Sequence, residues 1–257
     1  MPLHNHTRGR KLEPRRLVAM RRVFALFLTF GAPLPWSLEA PAQQCPPPDP
    51  ARSHLERIAD CLHQPSCDRQ IGQENLDDKD CVGSIYKWDQ DPQGKFVAIR
   101  DIKMCQVRRK VHDPHFVHGL LMPFEHVCGI EDNKLYDDSF AYLRSMWKVG
   151  WEIALNKLPE EEIALVVNPP TIRSEDHLHI HIVRRNGLAL PPTWVRPLDN
   201  LDDVWRQALS FARGKGIMDN NYGILVCKSA GQFRLLVEAG RPVNQQNPEK
   251  KYTQYED

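Results

Sequence analysis

The chain has 257 residues, with 34 basic and 33 acidic side chains, so its formal net charge at neutral pH is +1. This balance excludes the basic excess that is typical of nucleic-acid-binding proteins. The length suits one globular domain with extensions, and 21 prolines indicate a chain that is rich in loops.

The first 42 residues have the order of a secretory signal. Basic residues, among them Arg21 and Arg22, precede a short apolar run over 23–30, and small residues follow at 40–42. The apolar run is shorter than the roughly 20 residues that a transmembrane helix needs. We therefore expect export to the periplasm with cleavage near residue 42. Retention as an uncleaved anchor in the inner membrane is the alternative.

Residues 43–94 are expected to form an N-terminal extension ahead of the main domain. Apolar residues at helical spacing predict a helix over 51–64, and the acidic, turn-rich stretch 66–94 is typical of a loop. All seven cysteines follow the signal, and none belongs to a Cys-x-x-Cys pair, which argues against a zinc ribbon or a redox motif. Export makes disulfides permissible, and the odd count leaves at least one thiol unpaired within the chain.

The main domain is predicted over 95–240, and a polar, mobile tail over 241–257. Period-two and helical patterns predict strands over 95–101, 116–122 and 162–168, the longest helix over 137–158, a shorter helix over 199–213, and a hairpin of strands 222–227 and 233–237. Strands around one long inserted helix predict an α+β fold with a mainly antiparallel sheet.

Four histidines lie between residues 112 and 126, just ahead of the long helix. The spacing of His112, His115 and His118 would align them on a helix and hint at a metal site. Pro114 interrupts the run and a strand pattern follows it, so we expect solvent-facing loop and strand positions instead. His126 follows the end of this strand and is expected near the site described next.

Between residues 177 and 183 histidine alternates with aliphatic residues, in the order His177, Leu178, His179, Ile180, His181, Ile182, Val183. A period of two predicts a β-strand with the three imidazoles on one face and the aliphatic side chains on the other. Because adjacent imidazoles are costly to desolvate without partners, we expect the histidine face to be open. The pattern suits a zinc site, nucleophilic catalysis at phosphorus, or an exposed face without a function.

The segment before these histidines favours phosphate chemistry. A hydrophobic strand ends at Asn168, and Arg173 and Ser174 follow a turn marked by prolines. Amide, guanidinium and hydroxyl groups bind phosphate. No thiolate and no well-placed carboxylate nearby in the sequence completes a zinc set, although Asp176 is adjacent.

Residues 177–183 match, at every position, the motif of the histidine-triad superfamily of nucleotide hydrolases and transferases. Together with the segment from Asn168 to Ser174 and flanking strands, they make residues 55 to 240 resemble the bacterial CDP-diacylglycerol pyrophosphatase family. The flanking strands that carry the likeness are 96–101, 119–123, 222–226 and 233–237. The resemblance implies a histidine-triad-like domain that hydrolyses CDP-diacylglycerol to CMP and phosphatidate.

The resemblance also implies roles for the three histidines. His179 is the nucleophile that attacks the nucleotide phosphorus; phosphatidate leaves, and water cleaves the nucleotidyl-histidine intermediate. The backbone carbonyl of His177 holds the other ring nitrogen of His179. When protonated, His177 and His181 offset the charge that gathers on the phosphate oxygens. No cofactor and no metal are implied, because the histidines and an arginine already supply positive charge.

Asn168, Arg173 and Ser174 are the implied phosphate-binding residues, and Cys61 with Cys81 is the implied disulfide. The expected partners are the nucleotide-linked phospholipid and a membrane surface, with no nucleic acid; the oligomeric state is not predicted. Loops at 102–117 and 186–198 carry basic residues and a tryptophan that suit an anionic membrane. Two other hypotheses stay open: a secreted triad hydrolase of soluble nucleotides, and a periplasmic protein that binds zinc or copper through the triple histidine.

Overall fold

The computed structural model describes residue 55, residues 58 and 59, and the ranges 87–90, 93–101, 116–240 and 248–254. All of these belong to one unit, residues 41–257. The expected signal at 1–42, most of the helix expected over 51–64, and the candidate disulfide of Cys61 and Cys81 lie outside the described residues. Among the residues described, no helix is both long and apolar enough to cross a membrane.

Within the described residues, eight strands form a single sheet. They are β1 (Lys87–Gln90), β2 (Phe96–Arg100), β3 (His118–Pro123), β4 (Ile163–Val167), β5 (Ile180–Arg184), β6 (Val195–Leu198), β7 (Tyr222–Ser229) and β8 (Gln232–Ala239). Their order is β1-β2-β3-β5-β4-β7-β8-β6, and the strand pairings are antiparallel. The predicted α+β fold with a mainly antiparallel sheet is therefore confirmed.

Helices pack on one face of this sheet. The predicted helix over 137–158 is a 3₁₀ helix over Asp138–Ser145 that runs into α1 (Met146–Leu155). The 3₁₀ stretch is itself interrupted at Phe140, whose backbone is non-helical. Asp137 caps it by accepting a hydrogen bond from the Ser139 amide at 2.8 Å. At Gly150 a Cβ would stand 3.2 Å from a Leu121 methyl group, so the glycine lets α1 approach the sheet closely. The shorter helix, α2, spans Val204–Gly214.

The main core lies between these helices and the sheet. Leu178, Ile180 and Ile182 are all buried in it, as the alternating pattern predicted. The tryptophans of the helices, Trp147 and Trp205, are fully buried and their rings lie 4.9 Å apart, so they serve packing.

Apolar residues also cover parts of the opposite face of the sheet. Leu55, Ile58 and Ala59 are helical and buried against β2 and β3. A short helix, α3 (Pro248–Tyr252), has Tyr252 buried beside residues of β4 and β7. The expected mobile tail thus contains a short helix with Pro248, Glu249 and Tyr252 buried, and the Gln254 amide beyond it donates to the Arg184 carbonyl at 2.8 Å.

Candidate active site

The candidate site lies where β4 ends and β5 begins. Val166 pairs with His181 in the antiparallel register, so the residues beyond β4 and before β5 come together at one end of these strands. A small pocket opens there, lined by Cys128, Gly129, Val167, Asn168, Arg173, His177, Leu178 and His179. It gathers two of the three predicted catalytic histidines and two of the three predicted phosphate-binding residues.

The strand begins later than predicted. β5 starts at Ile180, and before it His177 and Leu178 bond to the last residue of β3 and to the chain just beyond it. The amide of Leu178 donates to the carbonyl of Val127 at 2.6 Å. The His177 ring donates from Nε2 to the carbonyl of Pro123 at 2.8 Å. These contacts give His177 and Leu178 hydrogen-bond partners outside the ladder between β4 and β5.

The prediction of an open histidine face is wrong. His177, His179 and His181 are 0%, 8% and 5% exposed. Imidazoles are buried at low cost only where they have partners, and the fold supplies those partners: backbone carbonyls for the first two, and His118 with Glu249 for the third.

His179 is held as a neutral imidazole with one defined tautomer. Its Nδ1 donates to the carbonyl of His177 at 2.7 Å, because a carbonyl oxygen only accepts. The other nitrogen, Nε2, is therefore unprotonated. Burial, together with the neighbouring His181, lowers the pKa of His179 to about 3. His179 thus carries an available lone pair near neutral pH.

His177 is also neutral near pH 7. Burial lowers its pKa to about 4, against the opposing effect of its hydrogen bond to the Pro123 carbonyl. The ring of His126 lies 5.9 Å from that of His177, so His126 is near the site as predicted. Before substrate binds, His177 is therefore neutral and lacks the positive charge that the resemblance implies for its protonated form.

The third histidine belongs to a buried polar cluster that the sequence did not reveal. His181 Nδ1 lies 2.9 Å from His118 Nε2 and 3.1 Å from Glu249 Oε1, and the latter is 3.2 Å from His118 Nε2. Burial by itself would raise the pKa of Glu249, but His181 and His118 outweigh it and hold that pKa well below the usual range. Glu249 is therefore ionised.

The placement of His118 corrects one expectation. It was assigned to a solvent-facing position, yet it is fully buried. A signal existed: His118 has the same parity in its strand as Leu120 and Met122, which are buried apolar residues, so it shares their face. His112 and His115 lie outside the described residues.

Within the part of the chain that the structure describes, His118, His181 and Glu249 form the set of side chains that could together hold a metal ion. Their mutual distances of 2.9 to 3.2 Å are shorter than the roughly 3.3 Å between two ligands of a tetrahedral zinc ion. They match direct hydrogen bonds and charge-assisted contacts. We therefore interpret the set as a hydrogen-bonded cluster.

The predicted phosphate-binding residues differ in whether they line the pocket and in which side chains they already bond to. Asn168 lies in the pocket, and its Nδ2 donates to Glu249 Oε2 at 2.6 Å. Arg173 also lines the pocket, but its guanidinium already forms a two-bond ion pair with Glu131, and a Cβ at Gly129 would overlap it. Ser174 is exposed and lies outside the pocket lining. Their roles toward phosphate stay predictions.

Of the cysteines, Cys128 and Cys227 are described. Cys128 is disulfide-bonded to a cysteine outside the described residues, and Cys227 is a buried free thiol. Burial raises the pKa of the Cys227 thiol, so it is unreactive.

The two neutral histidines make the stability of the fold pH-dependent. Their folded-state pKa values, about 4 for His177 and about 3 for His179, lie below the value near 6.5 of an unfolded chain. The unfolded chain therefore binds more protons below that pH. We expect the free energy of unfolding to fall as the pH drops from about 6.5 to about 4, by up to about 1.4 kcal/mol per pH unit for each histidine.

Urea unfolding at a series of pH values measures this effect. The variant His177→Gln removes one of the two groups and keeps a donor for the Pro123 carbonyl. It is expected to reduce the slope by up to about 1.4 kcal/mol per pH unit. A slope equal to that of the parent chain would contradict the assignment.

Comparisons with known proteins agree with this geometry. Residues 78–185 match the family model described as CDP-diacylglycerol pyrophosphatase. Proteins named CDP-diacylglycerol pyrophosphatase from Mycobacterium bovis and Mycobacterium tuberculosis are each 37% identical over 96 residues, which is 34% of this chain and 35% of theirs. A probable CDP-diacylglycerol pyrophosphatase from Mycobacterium leprae is 42% identical over 75 residues, 28% of this chain and 27% of that protein.

A plant protein extends the likeness. The bifunctional adenosine 5'-phosphosulfate phosphorylase/adenylylsulfatase HINT4 of Arabidopsis thaliana is 29% identical over 102 residues, 39% of this chain and 60% of its own length. The match to it supports the histidine-triad-like fold. The mycobacterial matches span about a third of the length of those relatives, 35% for the first two. Over residues 78–185, which include β1 to β5 and the three histidines, the chain's resemblance to the CDP-diacylglycerol pyrophosphatase family is confirmed.

Proposed function

We propose that this protein hydrolyses the pyrophosphate bond of CDP-diacylglycerol and releases CMP and phosphatidate. The family match over residues 78–185 supports the substrate class. The chemistry is supported chiefly by one observation: His179 donates from Nδ1 to the His177 carbonyl at 2.7 Å, which leaves Nε2 unprotonated beside the pocket.

The reaction proceeds in two displacements. Nε2 of His179 attacks the phosphorus of the cytidylyl group, a P–N bond forms, and the P–O bond to phosphatidate breaks with the electron pair going to the leaving oxygen. Water then attacks the same phosphorus, the P–N bond breaks, and CMP leaves while His179 returns to its neutral state. Two easier steps replace one difficult displacement.

The neutral state of His179 suits this role. Burial lowers its pKa to about 3, so the nucleophile is not lost to protonation near neutral pH. The amide of Asn168 and the guanidinium of Arg173 line the same pocket and can donate to phosphate oxygens. Arg173 would share its donors between Glu131 and the substrate. The order of basic, apolar and small residues over 1–42 supports placing this activity at the periplasmic side of the inner membrane.

A second candidate is a triad hydrolase of soluble nucleotides. The plant relative, whose name describes activity on adenosine 5'-phosphosulfate, favours it, because the similarity covers 39% of this chain. Its substrate would fit the same pocket chemistry. The two candidates differ in whether the leaving group is a lipid.

Phosphorus NMR of the purified protein separates these hypotheses. With CDP-diacylglycerol in micelles we expect the pyrophosphate signals to be replaced by those of CMP and phosphatidate, and an excess of EDTA is expected to leave the rate unchanged. Faster cleavage of a soluble dinucleotide would favour the second candidate. Complete loss of activity in EDTA, restored by zinc, would favour a metal-dependent protein.

A further inference from the structure

Glu249 reaches the site from α3, beyond the segment that matches the family model. Its side chain is 2% exposed. One carboxylate oxygen, Oε2, accepts from Asn168 Nδ2 at 2.6 Å, and the other, Oε1, lies 3.1 Å from His181 Nδ1. Asn168 Nδ2 in turn lies 3.1 Å from His181 Nε2. Glu249 therefore contacts Nδ1 of His181 directly, and it is linked to Nε2 of His181 through the amide of Asn168.

These contacts fix which atoms carry protons. An ionised carboxylate only accepts hydrogen bonds, so the part of Asn168 that faces Glu249 has to be its NH₂ group. That group has two hydrogens and no acceptor, so His181 Nε2, the second atom it contacts, has to be the acceptor. A neutral His181 then carries its proton on Nδ1. This nitrogen faces Glu249 Oε1 at 3.1 Å, which can accept from it, and lies 2.9 Å from His118 Nε2.

The opposite amide orientation is disfavoured by the same carboxylate. It would bring Asn168 Oδ1 against Glu249 Oε2, two acceptors in contact. In the observed orientation Oδ1 is buried and, among the described residues, has no hydrogen-bond partner. A buried acceptor without a partner is costly, so the short contact to Glu249 is what holds the amide in place.

We propose that Glu249 is a positioning residue that fixes the tautomer of His181 and the amide orientation of Asn168. On this proposal α3 is a structural part of the candidate active site. The other charged or titratable groups around the pair are His179, whose ring lies 4.8 Å from that of His181, and Asp101, whose carboxylate lies 3.5 Å from His118 Nε2. The inference deepens the proposed function and rests on it only for the kinetic part of its test.

The direct test is a two-bond ¹H–¹⁵N correlation spectrum of the histidine side chains of the full chain at pH 7 without substrate. The signals of His181 are assigned by their loss in His181→Gln. We expect the Nδ1–H tautomer in the parent chain and in Glu249→Asp. In Glu249→Gln the new amide can face Asn168 with a donor or an acceptor, so the Nε2–H tautomer of His181 is expected to appear.

Glu238→Gln is the matched control. Glu238 is also a buried glutamate held by α3, through Lys251 Nζ at 3.3 Å, but it lies on β8. This change removes a carboxylate from the packing of the same helix and is expected to leave the His181 signals unchanged. In assays with CDP-diacylglycerol, Glu249→Gln is expected to lower kcat by about 10- to 100-fold with KM nearly unchanged. Glu249→Asp should recover part of the loss, and Glu238→Gln should stay near the parent value.

A parent spectrum with His181 as the Nε2–H tautomer overturns the proposal, even if Glu249→Gln fails to fold. An unchanged His181 signal in folded Glu249→Gln overturns it as well, and so does an altered tautomer with an unchanged kcat. If the parent chain does not hydrolyse CDP-diacylglycerol, the proposed function fails, while the spectra still decide the role of Glu249.

Discussion

Replacing His179 by alanine is expected to abolish turnover while the chain stays folded. The variant has no Nε2 lone pair beside the pocket, so the covalent route through this residue is closed. We expect kcat for CMP release to fall on the order of 10⁴-fold or more, as when a nucleophile is removed from other enzymes that use covalent catalysis. Initial rates of CMP formation from CDP-diacylglycerol measure the effect.

The structural cost of the same change is expected to be modest. His179 is buried, and alanine removes its hydrogen bond to the His177 carbonyl. The loss of one such bond and the small cavity predict a decrease of about 1 to 3 kcal/mol in the free energy of unfolding, so thermal unfolding should still be cooperative. Added imidazole is expected to recover part of the rate in His179→Gly, where space for the free base is left. Hydrolysis near the parent rate by His179→Ala would remove the nucleophile assignment.

The alternating pattern around His179 predicted the strand side of the site well. Period two placed Leu178, Ile180 and Ile182 in the core, because the opposite faces of a strand have different environments. The same pattern predicted an open histidine face, which is wrong, because burial depends on partners that come from distant segments. The carbonyl of Pro123 is such a partner, and nothing in residues 177–183 indicates it.

Glu249 shows more clearly what could not be predicted from the sequence. In the sequence it stands between a proline and two lysines in a polar stretch, which is typical of a solvated tail. Only the antiparallel sheet, which brings His118 of β3 beside His181 of β5, creates the buried polar site that a carboxylate can complete. Arg173 is a second case: its residue type suits phosphate, but its neighbour in the fold, Glu131, is 42 residues away in the chain.

The second large effect that we expect concerns the lipid. We expect kcat/KM for CDP-diacylglycerol in mixed micelles to exceed that for CDP-glycerol by about 100-fold or more, since remote binding energy can be used at the reacting phosphate. The candidate pocket is small, because only eight residues line it. It can therefore hold only part of the substrate, and acyl chains have to contact another surface or stay in the micelle.

Residues 186–198 are the described candidate for that surface, because 102–115 lie outside the described residues. Leu188 is 54% exposed, and Trp194 is half-buried with Lys215 Nζ 5.6 Å from its ring centre. An exposed apolar side chain and a tryptophan with a lysine near its ring suit an anionic membrane surface. This loop follows the end of β5 that points away from the pocket, so it would hold the protein on the membrane rather than line the scissile bond.

That position makes the prediction sharper, since a membrane contact should affect the lipid substrate alone. The variant Leu188→Ser with Trp194→Ala is expected to lower kcat/KM for CDP-diacylglycerol in anionic mixed micelles by about 10-fold, with no change for CDP-glycerol. The control is Met218→Ser, which removes another exposed apolar side chain, 72% exposed and outside this loop. Equal losses on both substrates would indicate damage to the fold, and no loss on either would remove the loop from lipid binding. If the parent chain cleaves CDP-glycerol as efficiently as CDP-diacylglycerol, the lipid assignment fails, and His179 with its pocket serves a general hydrolase of nucleoside pyrophosphates.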